Sequence, residues 1–171
     1  MAHATIDEVN ALPRADFLAR FGDVAEHSPW VAERAEAARP FAHREAMVRA
    51  FHAAIDGLPE AEQVALLRAH PDLAGRAARA GELTADSRRE QAGAGLDSLT
   101  EEEFARFHEL NDAYKGRFGF PFILAVRGAT KAQILASFEA RLGNARDEEL
   151  ATALGQVKRI IRFRLEDSIS P

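Results

Sequence analysis

The chain has 171 residues, with 22 Lys plus Arg against 27 Asp plus Glu and a formal net charge of -5. That length suits one domain with a single substantial core, and 47% hydrophobic with 29% charged residues is an ordinary globular balance. The absence of Cys excludes disulfides, Cys-ligated zinc, iron–sulfur clusters and a thiol nucleophile, and the acidic balance argues against nucleic acid as a partner.

Helical periodicity dominates from the start. Thr5 and Glu8 have capping-box spacing, and Pro13 soon ends the short helix they open. Phe17, Leu18 and Phe21 form an apolar face that stops at Gly22. Pro29 suits the first turn of a helix through Trp30 and Val31 toward Arg39 and Pro40. Met47, Val48, Phe51 and Ile55 recur at steps of three and four between Glu45 and Asp56. Pro59 opens the next helix, which carries Val64, Leu66 and Leu67 and must end near His70 because Pro71 follows. Short helices are expected over residues 72–80 and 84–93, the second closed by Gly93 and Gly95.

Thr100 and Glu103 form a second capping box, and Phe104, Phe107, Leu110, Tyr114 and Phe118 line the helix behind it. Residues 119–126, with Pro121 among them, break the helical pattern in an apolar run. Thr130 and Gln133 make a third box, ahead of Ile134, Leu135, Phe138 and Leu142. A last helix is expected from about Glu148 to Asp167. The expectation is an all-α, single-domain bundle of about eight to ten helices over residues 1–171, with one irregular apolar segment near 119–126.

The apolar stretch from Phe120 to Val126 is far shorter than the roughly 20 residues that span a bilayer. No secretory leader or peroxisomal ending is recognisable, so the chain is expected in the cytoplasm and off membranes. The six His form no HExxH pair and none lies three or four residues from another, so no metal site is expected. Gly93 to Gly95 is a poor phosphate loop, and no nucleophile elbow is visible.

Three places are unusual for a plain bundle. His70 sits at a proline-forced helix end, where it either interacts with the helix dipole or transfers protons near neutral pH. Ser87 and Glu90 share a helical face with Gln91, but Ser-x-x-Glu is also a capping box, and spacing alone favours the cap. The broken run from Asn111 to Val126 leaves backbone N–H and C=O groups outside any helix. These must pair with other protein groups or with a ligand rich in amide-like edges.

Taken in order, three motifs resemble the OHCU decarboxylase family, which acts on 2-oxo-4-hydroxy-4-carboxy-5-ureidoimidazoline in urate breakdown. They are His70-Pro-Asp-Leu-Ala-Gly-Arg76, then Ser87 with Glu90, Gln91 and Gly95, then Asn111, Tyr114, Arg117 and the Phe-Gly-Phe-Pro-Phe-Ile run ending at Ile123. Arg117 stands where the family is expected to carry a basic residue, often Lys. The resemblance implies an all-α homodimer that needs no metal or organic cofactor and converts this substrate to (S)-allantoin and carbon dioxide. It implies His70 and Glu90 as catalytic residues. The implied substrate-binding set is Pro71, Ser87, Arg88, Arg89, Glu90 and Gln91, the backbone of Phe122, Ile123, Leu124, Ala125 and Val126, and Arg164, with Arg162 as its rival. Two other readings stand beside it: a hydrolase of a related ureide or cyclic amide, and a non-enzymatic helical module that binds a partner peptide.

Overall fold

Side-chain caps mark where the helices begin. Thr5, Thr100 and Thr130 each accept from the backbone three residues on, and Glu8, Glu103 and Gln133 close the box in return. A computed structural model describes residues 3–75 and 83–171. Among them are nine helices: α1 (Ile6–Ala11), α2 (Arg14–Phe21), α3 (Trp30–Glu36), α4 (Arg44–Asp56), α5 (Glu60–Arg68), α6 (Ala85–Gly93), α7 (Glu101–Phe118), α8 (Lys131–Arg141) and α9 (Arg146–Ser168). The only bridge among the described residues is one isolated parallel pairing of Ala4 with Ile169, so the all-α expectation holds. None of these helices is long and apolar enough to cross a membrane.

The expected elements agree closely with the observed ones, with two exceptions. The last helix starts two residues earlier than expected, at Arg146. Of the helix expected over 72–80, residues 72–75 are not helical, with a turn at Leu73 and Ala74 and Ala74 at φ 52°, and 76–80 lie outside the described residues.

The chain divides into two compact units. One comprises residues 1–63 and 158–171, the other residues 64–157. In the first, Phe17 is fully buried against Phe21 and Phe51, with ring centroids 4.9 and 6.5 Å away. The two chain ends meet there, Ala4 N–H donating to Ser168 and Ser170 N–H returning to Ala4. In the second, Tyr114 on α7 sits inside a ring of Phe118, Phe120, Phe122 and Phe138 at 4.6–6.0 Å. Edge-to-face packing of this kind adds about 0.5–1.5 kcal/mol per pair beyond area burial.

Residues 119–126 form an extended, non-helical strap within the second unit. Gly119 ends α7 at φ 80°, a left-handed conformation that glycine adopts without steric cost. Phe120, Pro121, Phe122 and Ile123 are then buried in succession.

Candidate active site

His70 lies just past the last turn of α5. Pro71 lacks an N–H and stops the helix, leaving the final carbonyls to find other donors. The imidazole supplies one: Nδ1 lies 3.0 Å from the Leu66 carbonyl, and the ring is 9% exposed. A carbonyl only accepts, so Nδ1 carries the hydrogen and Nε2 is the nitrogen that gains or loses a proton. The helix-end role and a proton-transfer role are therefore compatible, because they use different ring nitrogens.

The turn after Pro71 is held from three sides. Lys115 Nζ pairs with Asp72 at 2.7 Å, Asn111 Nδ2 donates to the Leu73 carbonyl at 3.0 Å, and Ala74 N–H donates to Gln91 Oε1 at 2.9 Å. Two local costs sit in this arrangement. Ala74 has a positive φ, which for a residue with a Cβ costs about 1–2 kcal/mol. Asn111 is buried, and its Oδ1 has no hydrogen-bond partner among the described residues, which costs about 1–3 kcal/mol.

Helix α6 carries the second motif, and its cap corrects one reading of it. Thr84 is the N-cap and accepts from Ser87 N–H at 3.2 Å, so Ser87 is the third helical residue and not the N-cap. The Ser87–Glu90 spacing is therefore free of a capping duty. Ser87 and Gln91 are buried and Glu90 half-buried, whereas Arg88 and Arg89 are exposed. Arg89 pairs with Asp86, and Arg88 reaches the Leu83 carbonyl at 3.5 Å. Gln91 Nε2 makes no hydrogen bond among the described residues. A cavity of about 300 Å³ is lined by Ala74, Leu83, Arg88, Gln91, Leu96 and Phe104 among others; His70 and Glu90 are not on its wall.

The strap received its anchors from residues that the sequence pattern did not single out. Arg141 Nη1 donates to the Ile123 carbonyl at 2.8 Å, Gln156 Oε1 accepts from Ala125 N–H at 3.0 Å, and Arg68 Nε donates to the Gly119 carbonyl at 2.7 Å. Arg141 is itself buried with Glu149, 3.0 Å from Nη2, and its guanidinium lies 4.4 Å from the Phe122 ring centroid. Glu149 also accepts from Tyr114 Oη and Asn144 Nδ2. Burial pushes the Glu149 carboxyl up, but these donors more than offset it, Arg141 first, and hold it below the usual range. Burial and the same carboxylate push the Tyr114 phenol up.

Among the described residues, the N–H groups of Phe122, Ile123, Leu124 and Val126 make no hydrogen bond. Nor do the carbonyls of Phe122, Leu124 and Ala125. The strap thus keeps both donors and acceptors in a largely apolar setting, where each bond to a ligand is worth more than in water.

His70, Pro71, Ser87, Glu90, Gln91 and the strap all belong to the second unit. Arg164 belongs to the first, where it is buried and its Nη1 reaches Glu26 at 3.1 Å and the Asp23 and Val24 carbonyls at 3.3 Å. Arg162 lies at the half-exposed surface instead, paired with Glu45 at 2.7 Å and Glu166 at 3.3 Å. No cluster of three or more His, Cys, Asp or Glu suited to a metal occurs among the described residues.

Residues 10–166 match the family model described as OHCU decarboxylase. A 2-oxo-4-hydroxy-4-carboxy-5-ureidoimidazoline decarboxylase of Haloferax volcanii is 41% identical over 170 residues, 99% of each chain. The protein of the same name from Mus musculus is 43% identical over 160 residues, 94% of this chain and 90% of its own. The crystal structure of (S)-allantoin synthase superposes with a TM-score of 0.78 at 32% identity, covering 98% of this chain and 54% of that one. By the extent of these matches and by the motifs at His70, Ser87–Gln91 and 118–123, the chain belongs to the OHCU decarboxylase family.

Proposed function

We propose that this protein decarboxylates 2-oxo-4-hydroxy-4-carboxy-5-ureidoimidazoline to (S)-allantoin and carbon dioxide in urate breakdown. The observation that carries the reading is the strap: a largely buried, irregular segment whose N–H and C=O groups are in part unpaired among the described residues suits a ureide, whose edge alternates donors and acceptors. Full-length relatives carrying the decarboxylase name support it.

In this reaction the bond from the ring carbon to the carboxylate breaks and its electron pair enters the conjugated ring, which serves as its own sink. One proton then replaces the lost carbon dioxide. His70 supplies it through Nε2, while the Nδ1 bond to Leu66 holds the ring to one orientation and therefore to one face of the substrate. Positioned proton transfer of this type contributes roughly 10²–10⁴-fold. Glu90, freed from capping, orients the imidazole or accepts a substrate N–H or O–H. Pro71, Ser87, Gln91 and the backbone of residues 122–126 hold the ring and ureide, with Gln91 Nε2 as the open donor. Arg88 and Arg89 stand at the exposed edge of the same helix.

Arg164 is proposed over Arg162 as the arginine that meets the substrate, on the strength of its burial. It would spread the negative charge that develops, since a strong grip on the departing carboxylate would stabilise the ground state and slow the reaction. We read residues 1–171 as one catalytic domain, supported by the family match over 10–166. A cytoplasmic homodimer is proposed from the family resemblance.

The test generates the substrate freshly and follows product circular dichroism against the spontaneous, racemic background. Faster formation of one enantiomer, with no solvent ¹⁸O in the product, is expected. Racemic product at the background rate would refute decarboxylation by this protein, and ¹⁸O incorporation would indicate a hydrolase. His70→Asn should remove turnover from a folded protein, and Arg164→Lys should slow it.

A further inference from the structure

We infer that Asn111 is a positioning residue for His70, acting through the turn at residues 72–74 rather than by touching substrate. The inference rests on the reading of His70 given above. Three consecutive turn residues are each held by a different side chain: Asp72 by Lys115, Leu73 by Asn111 and Ala74 by Gln91. Two of these clamps come from successive turns of α7 and one from α6, so two helices fix the backbone that leaves Pro71. On the other side, the Leu66 carbonyl fixes the imidazole and Arg68 ties the end of α5 to Gly119. The imidazole is thus bounded by pinned backbone before and after it.

Backbone strain at this turn is what separates positioning from ordinary packing. Ala74, a non-glycine residue at φ 52°, follows the carbonyl that Asn111 holds, and the amide oxygen of Asn111 is buried with no hydrogen-bond partner among the described residues. Such local costs persist only where surrounding structure over-determines the conformation, and they gather at sites where geometry matters more than stability. The direction of the Asn111 amide is set by its bond to Leu73, because the carbonyl can only accept. Among the described residues Oδ1 is left unpaired as a consequence. The Asn111 Nδ2 is committed to the Leu73 carbonyl, so its action runs through the turn.

Asn111→Ala and Asn111→Leu are to be compared with the parent protein in two measurements. The first is the kcat and KM of the stereoselective reaction. The second is the ¹H–¹⁵N spectrum of the His70 imidazole, assigned by its loss in His70→Asn. A fall in kcat of about tenfold or more, KM staying within about twofold, is expected from a displaced catalytic group. The single Nδ1–H tautomer should give way to a mixture. If either kcat or the imidazole spectrum is unchanged in a folded variant, the inference is overturned. Should both variants fail to fold, Lys115→Met, at the exposed clamp, is expected to give a smaller change of the same two kinds, and no change in either overturns it. Wild-type turnover in His70→Asn would instead remove His70 from catalysis, a separate failure that the imidazole spectrum distinguishes.

Discussion

Arg141 holds the Ile123 carbonyl at 2.8 Å with one guanidinium nitrogen while its opposite edge grips Glu149, so a buried ion pair on two helices sets the path of an irregular strap. The pair is fully hydrogen-bonded: Tyr114, Asn144 and Arg141 all donate to the same carboxylate. An extended segment inside a helical unit needs such an anchor, because it has no ladder of its own to satisfy its backbone.

Removing one member should be costly. Arg141→Met strands a buried carboxylate and is expected to destabilise the protein by about 3–5 kcal/mol. Glu149→Gln turns one accepting oxygen into a donor and strands the Arg141 guanidinium, so a loss of similar size is expected. Denaturant unfolding of both variants measures these losses, and small losses in both would mean the network is not what holds residues 119–126.

The Thr84 cap allows stability and activity to be separated on one helix. Thr84→Ala should lose about 1 kcal/mol of stability, the usual worth of an N-cap, and keep its turnover per folded molecule. Glu90→Gln should stay folded and turn over at least about tenfold more slowly if its carboxylate serves the reaction. Full activity in Glu90→Gln would remove Glu90 from the site.

Acid should destabilise the fold in two steps. Burial holds the His52 imidazole below its usual 6.5, against the opposing pull of its bond to the Lys158 carbonyl. Folding therefore favours its neutral form, and this contribution, complete above pH 6.5, is lost as pH falls through the lower folded value. The carboxyl of Glu149 is held below its usual 4.5, so its contribution is present above that pH and lost on further acidification. Unfolding free energies measured from pH 8 to pH 3 should fall in both windows, and His52→Gln should abolish the first step alone.

The helices and most of their limits are legible in the chain because the information is local. A Thr followed three residues later by Glu or Gln satisfies its own helix start, and proline after His70 ends a helix whatever surrounds it. The family motifs are local in the same sense, and the break at residues 119–126 follows from glycine and proline chemistry.

Pairing across the fold was not legible. Arg141 ends an amphipathic helix and Glu149 follows two acidic neighbours, Asp147 and Glu148, in a first turn, so both read as solvated charges that favour the helix dipole. Only packing in three dimensions buries them together beneath Ile123. The spacing of Ser87 and Glu90 likewise reads as a cap, and only the bond from Ser87 N–H to the Thr84 side chain assigns that duty to Thr84. Sequence by itself determined which segments are helical and where the backbone must leave a helix. Tertiary structure decided which side chains receive the backbone groups so released, because a hydrogen bond between residues 18 or 38 positions apart, as between Arg141 and Ile123 or Asn111 and Leu73, leaves no periodic trace along the chain.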